Sequence, residues 1–112
     1  MVRADKASRP PPPKVPPVLV EGVQYAQVTN TARAGLAPGG GWLAASEAKT
    51  GKPLWTLRVY DNPINPADEA DVQLVFFTSM KRVRGQRVLE IENESGERYT
   101  VDLDTRKVAP KR

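Results

Sequence analysis

No cysteine and no histidine occur among the 112 residues of this chain. Without Cys there is no disulfide framework, no thiol nucleophile and no Cys-ligated zinc or iron–sulfur centre. Without His the commonest general base and the commonest transition-metal ligand are both missing. Aromatic residues are few, with two Trp, three Tyr and two Phe. Apolar stretches such as Val18-Leu19-Val20 and Val75-Phe76-Phe77 fall far below the roughly 20 residues a membrane helix requires. The start reads Met-Val-Arg-Ala-Asp-Lys-Ala-Ser and then prolines, so the apolar run of a secretory signal is lacking. Cytoplasmic location is the expectation; the alternative is an exported or periplasmic protein written in processed form.

Charge is present, but not where a nucleic-acid domain needs it. The net charge is +4. Residues 1–17 carry +3 and residues 105–112 carry +4, which leaves −3 on residues 18–104. A domain that grips a phosphate backbone should itself be basic.

The length fits one domain. Pro10 to Pro17 holds six prolines in eight positions, an extended polyproline segment with no core of its own. Its spacing misses the basic-residue-plus-PxxP ligand pattern, because Val15 stands where one orientation requires a proline and Arg9 where the reverse orientation does. A stiff linker fits better, making residues 1–17 a disordered, proline-rich basic tail. From Val18 onward apolar residues recur with period two between turn residues, which predicts antiparallel strands. Val18–Gln27 reads as one or two strands around Gly22, followed by a loop over Thr29–Gly41. Trp42–Glu47 and Pro53–Tyr60 form a hairpin across Ala48-Lys49-Thr50-Gly51-Lys52. Arg87–Glu92 and Arg98–Asp104 form another across Asn93-Glu94-Ser95-Gly96. Asn65-Pro66-Ala67-Asp68-Glu69 has the cap, proline and first-turn acids of a helix start, predicting a short helix over 66–71. A strand follows from Val72 to Thr78, although a helical stripe through Leu74 and Phe77 is the alternative there. The expected fold is all-β with one short helix: a small antiparallel sheet or partly open barrel of six or seven strands over residues 18–108, with a basic tail at 109–112.

Two stretches resemble known proteins. Trp42 to Trp55, with Ala48-Lys49-Thr50-Gly51-Lys52-Pro53-Leu54-Trp55 at its centre, resembles the strand–turn–strand unit of pyrroloquinoline-quinone-type β-propeller blades. Val101-Asp102-Leu103-Asp104-Thr105-Arg106-Lys107-Val108 echoes it, with Arg106 where the motif has glycine. That resemblance implies hairpin geometry alone, since four or more blades of about 40 residues are needed to close a propeller. The wider succession from Pro16 to Val108 is similar to a group of small, uncharacterised bacterial all-β proteins, some with export signals. It implies the fold class and a bacterial origin.

Candidate chemistry is sparse. The Gly39-Gly40-Gly41 run lacks the Lys and Ser/Thr of a phosphate loop. Asp61, Asp68, Glu69 and Asp71 lack the acid spacing of a calcium loop, and the last three suit a helix N-terminus. Asn93-Glu94-Ser95 matches the glycosylation pattern. Lys81, Arg82, Arg84 and Arg87 form the basic cluster inside the domain, at the tip of a hairpin around Gly85-Gln86. Trp42, Trp55 and Tyr60 are candidates to line a ligand groove, or are core residues. With no metal set, no cofactor motif and no catalytic constellation, the expectation is a non-catalytic binding or accessory module whose partner is another protein. The alternative is a nucleic-acid-binding β-barrel that uses the basic hairpin and tails.

Overall fold

Side chains along a β-strand point alternately to opposite faces, and burial over residues 42–46 and 88–93 follows that alternation. The architecture comes from a computed structural model that describes residues 14–62 and 74–111. Eight strands and one short helix occur among them: β1 Val18–Val20, β2 Val23–Val28, α1 Thr31–Ala34, β3 Trp42–Glu47, β4 Pro53–Arg58, β5 Phe77–Arg82, β6 Val88–Asn93, β7 Arg98–Asp102 and β8 Val108–Pro110. Two four-stranded antiparallel sheets result, in the orders β1-β2-β3-β4 and β5-β6-β7-β8. Each strand pairs with its neighbour in sequence, so each sheet is a meander, and neither closes into a barrel.

The inner faces share one core. Tyr25, Leu43 and Ala45 come from the first sheet, and Phe77, Leu89 and Ile91 from the second. A backbone-to-side-chain bond crosses between the sheets: Phe77 N–H donates to Gln27 Oε1 at 2.6 Å. Trp55 joins from β4, tilted against the Tyr25 ring at 5.8 Å between centroids.

Several elements differ from the sequence expectation. Among the described residues there are eight strands rather than six or seven: the Glu21-Gly22 turn separates β1 from β2, the two-strand alternative for that stretch, and β8 adds the eighth. β8 runs into residues read as a tail, and Lys111 N–H then donates to Arg98 O at 2.8 Å. The strand expected over 72–78 is observed at Phe77–Arg82. Val75 and Phe76 spend their N–H groups on the Asn62 and Glu94 side chains instead of on a ladder. The helix expected at 66–71 lies outside the described residues. The observed helix falls in the stretch read as a loop, where Asn30 Oδ1 caps it by accepting Arg33 N–H at 3.1 Å.

One turn is built twice. Between β3 and β4, Gly51 N–H donates to Glu47 O at 2.7 Å, and Lys52 N–H to Thr50 Oγ1 at 3.2 Å. Between β7 and β8, Arg106 N–H donates to Asp102 O at 2.7 Å, and Lys107 N–H to Thr105 Oγ1 at 3.3 Å. The left-handed position is Gly51 in the first turn and Arg106, at φ 61°, in the second.

Candidate functional site

A hairpin brings the four basic candidates together and then neutralises most of them. Lys81 and Arg82 end β5, Arg84 sits in the turn, and Arg87 precedes β6. Lys81 Nζ lies 3.5 Å from Glu90, its cross-strand partner. Arg82 lies 4.0 Å from Glu21 and donates to Gln86 O at 2.7 Å. Arg87 pairs with Glu21 and, at 2.8 Å, with Asp104. Only Arg84, exposed at the tip, has no carboxylate partner among the described residues. The Glu21 and Asp104 carboxylates reach the cluster from the β1–β2 and β7–β8 turns, which sequence spacing could not foresee.

The three aromatic candidates do not converge. Trp42 lies on the outer face of the first sheet, where its Nε1–H donates to Ala37 O at 3.1 Å and the Arg58 guanidinium sits 5.2 Å from its ring. Trp55 faces the core on one side, and on the other meets the Arg106 guanidinium at 5.4 Å. Tyr60 is buried, stacked on Tyr99 at 5.3 Å, and donates its hydroxyl to Val75 O at 2.5 Å. Burial pushes the Tyr60 phenol far above its ordinary range, so it stays protonated as a structural donor. These rings do not share a groove.

The glycine run is packed rather than open. Gly39, Gly40 and Gly41 are all buried. A Cβ on Gly40 would fall on the Val75 carbonyl oxygen, and one on Gly39 on the Asn62 carbonyl oxygen. The run exists to let three backbone segments touch. Asn93 of the glycosylation pattern is also buried, and its Oδ1 accepts the N–H groups of Ser95 and Glu97, each at 3.0 Å. Of the candidate acids, Asp61 is exposed, while Asp68, Glu69 and Asp71 lie outside the described residues. No group of three or more potential metal-ligating side chains occurs among the described residues.

The outer face of the second sheet offers what the other candidates do not. There, a shallow groove of about 430 Å³ has Val83, Val88, Thr100 and Ala109 in its lining. Asp102 and Lys107 bound one side, and Lys111 stands where the groove meets a smaller cleft of about 200 Å³. That cleft is charged throughout: Lys81 and Lys111 both pair with Glu90, and Arg98 lies 3.6 Å from Glu92. The hydrogen bond from Lys111, followed by the field of the two lysines, holds the Glu90 carboxyl below the ordinary range. The N–H groups of Thr105 and Asp104 do the same for Asp102.

Sequence reasoning missed this face. Val88 alternates with Leu89, so its outward direction was legible. Ala109 and Lys111 were not, because β8 was read as tail.

No protein-family model, no curated protein and no solved structure matches this chain. No helix among the described residues is long and apolar enough to cross a membrane.

Proposed function

We propose that this chain is a non-catalytic binding module that receives an extended segment of another protein on the outer face of its second sheet. The observation that carries this reading is the groove over β6, β7 and β8, with an apolar floor of Val83, Val88 and Ala109 beside two lysines. A floor of branched and small side chains suits the apolar residues of an extended peptide, and Lys107 suits a carboxylate on it, Lys111 being paired with Glu90. The groups best equipped for chemistry elsewhere are already employed: Tyr60 holds Val75, and Asn93 holds its own turn.

The test is nuclear magnetic resonance titration with extended peptides that alternate apolar and acidic residues, against matched peptides carrying lysine for the acids. Amide shifts at Val88, Thr100 and Ala109 with the acidic set alone support the proposal. Equal responses to both sets, or shifts confined to other faces, overturn it.

Nucleic-acid binding through Lys81, Arg82, Arg84 and Arg87 has weaker support. Phosphates would have to displace Glu21, Glu90 and Asp104 from three of these four cations. Affinity for a labelled oligonucleotide that fell steeply with salt would favour it.

A further inference from the structure

The two outer faces of this sandwich differ in charge. The second sheet's face mixes lysines, arginines and carboxylates, whereas the first sheet's face is almost neutral. Strand alternation places Gln24, Ala26 and Val28 of β2 there, with Trp42, Ala44 and Ser46 of β3. Among the described residues Arg58 is the one charged residue of that face; it stacks on Trp42 and donates to Pro38 O at 3.0 Å. The two exposed large hydrophobic residues among the described ones flank this face. Leu19 on β1 is 62% exposed and Leu54 on β4 is 47% exposed.

Register places these leucines symmetrically. Leu19 pairs with Gln24, Gln24 with Ser46, and Ser46 with Pro53, the neighbour of Leu54. Leu19 and Leu54 thus lie at one level on opposite edges of the sheet. A two-fold axis parallel to the strands keeps that level and exchanges the edges. We infer that a second copy of this chain packs on the outer face of the first sheet about such an axis, setting each Leu19 against Leu54 of the other copy.

Two features favour a second copy over another occupant, and a third sets its strength. A face whose one charge among the described residues is an Arg58 side chain laid over Trp42 offers little handle to a charged partner. Its centre is lined by Ala26, Ala44 and Ser46, small side chains that let two sheets approach to roughly 10 Å. β1 has three residues and β2, β3 and β4 six each, so the face presents at most roughly 20 Å by 20 Å, about 800 Å² over both copies, the size of a weak, transient contact. Dimerisation on the order of hundreds of micromolar is the corresponding expectation.

The experiment is sedimentation equilibrium of the full 112-residue chain up to about 1 mM, a concentration at which even weak specific dimers populate. The wild-type chain should show a concentration-dependent dimer. Leu19→Lys and Leu54→Glu should each be monomeric, with thermal melting close to wild type because both side chains are exposed. An equimolar mixture of the Leu19→Lys and Leu54→Glu chains should regain dimer, since the axis sets one substitution against the other. A wild-type monomer throughout the range overturns the inference. So does a dimer that both substitutions leave intact, or a mixture that stays monomeric. Failure here leaves the peptide groove on the opposite face untouched, because the two surfaces share no residue.

Discussion

The Asn62 side-chain oxygen accepts the backbone N–H of Gly40 at 2.7 Å and also that of Val75 at 2.8 Å. Asn62 is buried, so one carbonyl oxygen closes two segments that are far apart in sequence and brings both against Tyr60. Asn62→Ala leaves one buried and one part-buried donor unmet; a buried unmet donor costs about 1–3 kcal/mol, and a part-buried one less. A loss of about 2–4 kcal/mol in denaturant unfolding is expected, and an unchanged midpoint would place those N–H groups in contact with water.

Gly40 is the steric counterpart of that joint. Its backbone is not in the left-handed region, so substitution fails from collision rather than from strain. Gly40→Ala drives a methyl into the Val75 carbonyl, and should cost at least about 3 kcal/mol or prevent folding. Gly85→Ala meets open space at φ 75°, and should cost only about 1 kcal/mol. Melting temperatures of the pair would separate the two mechanisms; equal losses would remove the steric argument.

The core aromatic residues are unequal. Phe77 is fully buried, whereas Trp55 is half-buried with Arg106 beyond it. Phe77→Ala should cost about 3–5 kcal/mol, and Trp55→Ala less, about 2–3 kcal/mol. Calorimetry that ranked Trp55 above Phe77 would contradict this packing.

Arg106 stands where the equivalent turn has Gly51. Its left-handed backbone costs about 1 kcal/mol, and its contact with Trp55 returns about 0.5–1 kcal/mol. Arg106→Gly trades one for the other and should melt within a few degrees of wild type. Arg106→Ala keeps the strain and loses the contact, so it should be the least stable of the three.

Acid sensitivity should track Glu90. Its carboxyl titrates below the ordinary value in the folded state, chiefly through Lys111. The unfolded chain therefore binds that proton more tightly. Glu90 contributes its stability fully above the unfolded carboxyl value of roughly 4.3, and loses it as pH falls through the lower folded value. In Glu90→Gln the decline in stability below about pH 4.5 should be shallower than in wild type. Identical acid-unfolding curves would show that the lysine pair does not bias this carboxyl.

What the sequence by itself determined is local. Period-two alternation set the direction of Leu43, Leu89, Ile91 and Val101, because a strand permits only two faces. Thr50-Gly51 and Asn93 to Gly96 set their turns, because glycine or a side-chain acceptor satisfies those backbones at short range. The absence of Cys and His was fully legible. Tertiary structure decided what depends on neighbours distant in sequence. Arg82 and Arg87 of the hairpin met Glu21 or Asp104, whose approach from other turns requires the sheets to form first. The glycine run became a packed joint only when Asn62 and Val75 reached it. Val108–Pro110 became a strand because β7 offered it an unpaired edge, an interaction with no signal in a three-residue span. Both proposed surfaces belong to this second class, since a face is made by register between strands and no single strand carries it.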